Sequence, residues 1–169
     1  EHLKEGGIMC QWLPIYELTV ENLKSIVKTF QQSFKYTMLW LTYYDSVIVG
    51  SNQPILIDED DLDRRIQEVP AISDDLKQVR MGSATDLLSY FVMGSGGMRA
   101  FSKDGIVNTD NNLYLEFSAP LNIGKSSLMA ENASALVRYR EDILPHLLQS
   151  SRGGAKKSQT GIWGGLAEV

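Results

Sequence analysis

One cysteine, two histidines and five prolines are all that 169 residues contain of those types. The single thiol, Cys10, cannot close an internal disulfide, which points to a reducing, cytoplasmic setting. Its apolar surroundings read as those of a small buried hydrophobe. A nucleophilic thiol wants a nearby base, yet His2 and His146 stand near opposite ends of the chain. No pair of His or Cys has the spacing of a metal site. No apolar run approaches the ~18 residues of a membrane span, and no secretory signal is visible. Basic charge is also short: 16 Lys and Arg stand against 21 Asp and Glu, a net charge of −5. A nucleic-acid surface needs a dense basic patch. The one such cluster, Arg152, Lys156 and Lys157, falls in a Gly/Ser-rich tail and reads as solvated.

What is present is ordinary for a globular domain, with 43% apolar and 22% charged residues. Gly7 to Ile15 is a nearly continuous apolar run, the pattern of a strand covered on both faces of a parallel sheet. Lys4 and Gly6 before it suit a helix end. Thr19 can cap a helix with Glu21 in its first turn, and Val20, Leu23, Ile26, Val27, Phe30 and Phe34 share one face. Phe30, mid-stripe, is expected among the most buried residues. Tyr36–Tyr44 and Val47–Val49 are aromatic and β-branched, with Asp45-Ser46 as the turn of a hairpin.

Beyond Pro54 the pattern becomes helical. Asp58 to Val69 reads as an acidic-capped helix broken by Pro70, and Ser73 as the cap of a turn through Val79. Ser83 to Asp86 resembles a capping box opening a helix with Leu87, Leu88, Phe91 and Val92 inward. Gly94–Gly97 then interrupts that helix. Leu113–Phe117 reads as a strand or extended arm. Ser126 or Ser127 starts a long helix with Leu136, Ile143 and Leu147 on one stripe, ended at Pro145. The division expected is 1–54, an α/β segment; 55–149, a helical accessory region; and 150–169, a flexible tail.

Candidate motifs mostly dissolve. Gly94–Gly97 lacks the Lys-Ser/Thr of a phosphate loop, and Gly124-Lys125-Ser126 lacks the upstream glycine, since position 119 is Ala119. Counted from Asp58 as a calcium loop, the sixth and twelfth positions are Asp63 and Val69, not Gly and Glu. No Gly-x-Ser-x-Gly elbow occurs. Asn108-Thr-Asp110 reads as a turn. Gln11 and Trp12 stand near the end of the first strand, where ligands bind in open parallel sheets; the plainer alternative has Trp12 in the core and Gln11 capping a backbone group.

"LKEGGIMCQW", followed by the capped helix and aromatic hairpin, resembles the last third of the spermidine synthase family. "WLPIYEL", "VGSNQP" and "NTDNNLYLEFSAP" resemble a bacterial branch of spermidine-synthase-like proteins with an extra helical region. The resemblance spans roughly Leu3 to Pro120. It implies an α/β fold: the C-terminal part of a methyltransferase-like Rossmann sheet, as strand, helix and β-hairpin, with a mostly helical accessory region after it. It implies aminopropyl transfer from decarboxylated S-adenosylmethionine to a polyamine acceptor, with no cofactor held in this chain. The family's catalytic Asp and glycine-rich nucleotide loop lie upstream of its Gly-Gly turn, so the resemblance makes this chain the C-terminal piece of a larger enzyme, inactive by itself. Gln11 corresponds to the Gln that lines the amine pocket. Tyr43 matches the Tyr of a Pro-Thr-Tyr-Pro segment that reads Trp-Leu-Thr-Tyr-Tyr here, without the prolines. The competing expectations are a non-enzymatic interaction module and a small α/β protein that oligomerises, since an open sheet edge invites a homodimer.

Overall fold

In a computed structural model of the chain, residues 3–42, 45–125 and 128–148 are described. In chain order the elements are β1 (Met9–Pro14), α1 (Val20–Ser33), β2 (Tyr36–Leu41), β3 (Asp45–Ser51), α2 (Glu59–Glu68), α3 (Pro70–Gln78), α4 (Ala84–Ser89), β4 (Phe91–Gly94), α5 (Ser95–Phe101), α6 (Tyr114–Ser118) and α7 (Leu128–Val137), with short 3-10 turns at Ala119–Asn122 and Leu144–His146. The fold is α/β. It divides into two compact units, Glu1–Ile55 with Val92–Asp142, and Leu56–Phe91 with Ile143–Val169.

The first unit is built on a sheet of order β1-β3-β2-β4. β3 is antiparallel to both β1 and β2, so β1 and β2 run parallel to each other with β3 inserted between them. The expected strand–helix–strand–strand order is present. The expected setting of the first strand is not. β1 is the outermost strand of the described sheet, its partner is antiparallel, and Met9, Cys10, Gln11 and Trp12 are exposed. Cys10, expected in the core, is likewise exposed. A run of large apolar residues looks the same at the middle and at the edge of a sheet; only the neighbouring strands distinguish the two. Asp45 and Ser46, expected as the hairpin turn, open β3 itself.

Thr19 caps α1 through a reciprocal pair with Asn22: the Asn22 N–H donates to Thr19 Oγ1 at 3.2 Å, and the Thr19 N–H to Asn22 Oδ1 at 3.1 Å. The helix lies over the sheet face that carries Leu13, Thr37, Leu39, Leu41, Ile48 and Gly50, and it also packs against α5, α6 and α7. Partners beyond the sheet explain why Asn22 and Ser25 are as buried as Leu23 and Val27. Phe30 is only half-buried, contrary to expectation. It sits near the end of the helix, where its ring meets Phe34 at 4.7 Å above Gly50 and leaves its outer edge open.

The segment after Ser89 departs most from expectation. Phe91–Gly94 is a strand, not the end of a helix, and Gly94–Gly97 joins it directly to α5. The glycines are explained by Glu141. Its Oε2 accepts the Gly94 N–H at 2.7 Å, and a Cβ at Gly96 would lie 2.9 Å from its Oε1. The carboxylate thus fills the positive end of α5 from within the fold. Leu113–Phe117, expected to be extended, is largely the helix α6. α7 ends at Val137, short of Ile143 and Leu147, although Leu136, Ile143 and Leu147 are all buried. Pro145 sits in a 3-10 turn rather than in a helix. Ser126, Ser127 and the tail from Ser150 lie outside the described residues.

The second unit uses its acidic run as helix punctuation. Asp58 caps α2 by accepting from the Asp60 and Asp61 N–H groups. Asp61 pairs with Arg64 and Arg65, and the Arg64 guanidinium, then that of Arg65, holds its carboxyl below the usual carboxylate range. Asp63 accepts the Ala84 N–H at 2.8 Å, and Glu59 the Thr85 hydroxyl at 2.8 Å, which ties α2 to the start of α4. The Ser83–Asp86 capping box forms as expected. α3 starts at Pro70, so Ser73 lies inside it rather than at its cap.

Candidate functional site

In open parallel α/β sheets ligands bind beyond the C-terminal ends of the strands; here β1 and β2 run parallel to each other with the antiparallel β3 between them. Beyond Pro14 the chain turns through Ile15, Tyr16, Glu17 and Leu18. Two features fix that turn. Glu17 takes a left-handed backbone, φ 59°, with its carboxylate accepting the Gly124 N–H at 3.4 Å. Buried Asn132, from α7, donates its amide to the Ile15 carbonyl at 2.8 Å and the Leu18 carbonyl at 2.6 Å. With Ile15 buried, Tyr16 projects outward, its ring 6.5 Å from that of Trp12 and tilted by 57°.

The β register sets the rest. Trp12 is paired with Val47 and Pro14 with Asp45, so Trp12 and Asp45 share one sheet face. Trp40, also opposite Val47, shares it too. The Asp45 backbone is pinned by Thr42: the Thr42 N–H donates to the Asp45 carbonyl at 2.8 Å, and the Asp45 N–H to Thr42 Oγ1 at 3.3 Å. The Asp45 Oδ1 is buried and has no hydrogen-bond partner among the described residues. A buried carboxylate oxygen without a donor is costly. A carboxylate accepts from N–H donors, and an aromatic ring face attracts a cation.

The two residues singled out from sequence fall differently. Gln11 sits on β1 but on the opposite face, with Leu13 and Ile48; it is exposed, and its amide donates to the Trp12 carbonyl at 2.9 Å. Tyr43 lies outside the described residues. Sequence reading missed Tyr16 and Asp45. The available signal was two rings four residues apart around Pro14, followed by an acidic residue where the hairpin turns back.

The other motifs are occupied by structure. The Asn108 N–H donates to Thr29 Oγ1 at 2.8 Å, and its Oδ1 accepts the Leu115 N–H at 3.0 Å, so Asn108 holds a turn onto α1 and α6. Gly124 follows a 3-10 turn rather than a strand. Among the described residues, no group of three or more His, Cys, Asp or Glu could hold a metal ion, and no helix is long and apolar enough to cross a membrane. No family model, curated protein or solved structure matches the chain.

Proposed function

We propose that this chain is the C-terminal part of a spermidine synthase-like aminopropyltransferase and supplies one wall of its polyamine-acceptor site. The observation that carries the reading is the partnerless Asp45 carboxylate oxygen on the sheet face of Trp12, at the ends of two parallel strands. A methyltransferase-like sheet tail is supported by the helix-linked β1 and β2 and by the antiparallel β3. In the reaction the acceptor's neutral amine attacks the aminopropyl carbon beside the sulfonium of decarboxylated S-adenosylmethionine. The new C–N bond forms as the C–S bond breaks, methylthioadenosine leaves with the electron pair, and the amine's proton passes to a carboxylate. Asp45 and the rings would hold the acceptor's distal ammonium, and Gln11 would line the outer edge of β1. The base and the nucleoside loops belong to the upstream half implied by the resemblance. A cytoplasmic setting is supported by the single free thiol.

Calorimetry tests the division of labour. Decarboxylated S-adenosylmethionine is expected to give no saturable heat with the 169-residue chain up to millimolar concentration. Micromolar binding would place a nucleoside site in this chain and overturn the reading.

A further inference from the structure

We propose that Asn132 is a positioning residue for the amine wall: it holds Glu17 in a left-handed backbone and thereby places the Tyr16 ring beside Trp12. The purpose given to that ring rests on the amine reading; the placement itself does not. Among the described residues, Glu17 and Arg80 are the non-glycine residues with positive φ, 59° and 60°. Arg80 has a local reason. It follows the end of α3, and the Met81 N–H closes that helix on the Leu76 carbonyl at 2.8 Å. Glu17 ends no helix: it stands between β1 and α1. Glycine would take this conformation at no steric cost. A long side chain persists there only where the surroundings over-determine the backbone.

Asn132 supplies that constraint. Its one amide group spans the turn, donating to the Ile15 carbonyl at 2.8 Å and the Leu18 carbonyl at 2.6 Å, on either side of Tyr16 and Glu17. The amide is itself fixed. Asn132 is fully buried, and Leu128 and Leu136, one helical turn before and after it on α7, are buried too. The other tie on the turn is weaker, since the Glu17 carboxylate accepts the Gly124 N–H only at 3.4 Å. Without the Asn132 fork, Glu17 relaxes toward negative φ. The peptide planes on both sides of it then rotate, and Tyr16 is carried away from its 6.5 Å approach to Trp12. A helix remote in sequence thus sets the geometry of the aromatic wall.

A double-mutant cycle between Asn132 and Glu17 tests it. Asn132→Ser breaks the fork without adding charge, and Glu17→Gly removes the strain that the fork opposes. The ¹⁵N-labelled chains are compared by heteronuclear NMR, well below their melting temperatures, without and with putrescine. Asn132→Ser is expected to move the Trp12 indole signal toward its position in a Tyr16→Ala chain. It is also expected to raise half-saturation by putrescine about tenfold, as for one lost hydrogen bond. In the Glu17→Gly background the same change at Asn132 is expected to move neither, because glycine keeps the turn unaided. Packing loss alone acts equally in both backgrounds, and that result would overturn the proposal. So would an indole signal that Asn132→Ser leaves in place, or one that moves while half-saturation does not. If Asn132→Ser alone unfolds the chain, the Glu17→Gly background is expected to restore the fold; a double variant that stays unfolded overturns the proposal. A wild type with no saturable response to putrescine overturns the amine reading, while the indole comparison still decides the placement.

Discussion

Asn132→Asp is expected to be the most damaging isosteric change in the first unit. Asn132 is fully buried and donates both amide hydrogens to the carbonyls of Ile15 and Leu18, while its own Oδ1 has no partner among the described residues. A carboxylate there presents only acceptors to two acceptors. Leaving a buried charge unpaired costs several kcal/mol, and each buried carbonyl left without its donor ~1–3 kcal/mol, a large share of the ~5–15 kcal/mol that holds a domain together. The pH dependence fixes the cause. The introduced carboxyl would have a folded-state pKa raised above its unfolded value of ~3.9, so the variant loses stability as pH rises above that value and recovers it below. Melting curves from pH 7 to pH 4 are expected to bring the variant toward wild type, because a protonated carboxyl can donate one hydrogen bond. A deficit independent of pH would mean that packing, not charge, sets the cost.

Gly50→Val is expected to have the next largest effect. A Cβ at Gly50 would lie 2.6 Å from both Phe30 Cε1 and Phe34 Cγ. Phe34 Cγ is next to the backbone and cannot swing away cheaply. Overpacking of this kind costs ~1–3 kcal/mol, and the added methyls place valine at the upper end. At about 2–4 °C per kcal/mol for a chain of this size, the melting temperature is expected to fall by roughly 6–12 °C. Valine otherwise favours strands, so an unchanged melting temperature would show that α1 does not bear on β3 through these rings.

The parts legible in the sequence are those decided within one turn of chain. Thr19, Asp58 and the Ser83–Asp86 pair announce helix starts because the cap and its acceptor lie within four residues. Pro70 marks the break before α3 by its missing N–H. What escaped depends on distant partners. Phe91–Gly94 is a strand because β2 offers it an edge, and Gly94–Gly97 can enter a helix because Glu141, far along the chain, covers its N-terminus. The exposure of β1 is not written in its residues, which suit an interior strand equally well. The candidate site divides the same way. Trp12 could be singled out from its place near a strand end, but Asp45 joins it only through the β1–β3 register, and Tyr16 only through the turn that Glu17 and Asn132 impose.

The amine-binding wall is tested most directly by titrating ¹⁵N-labelled chain with putrescine and spermidine at constant ionic strength, observed by heteronuclear NMR. Saturable shifts are expected at the backbone amides of Trp12, Leu13, Ile15, Tyr16 and Glu17, at those of Thr42 and Asp45 to Val47, and at the Trp12 indole. Half-saturation in the millimolar range, ~4 kcal/mol of binding, suits one wall of a site. Asp45→Asn is expected to abolish those shifts while the spectrum stays folded. Shifts confined to the acidic run Asp58–Asp63, or none at all, would contradict an amine site at the end of β1.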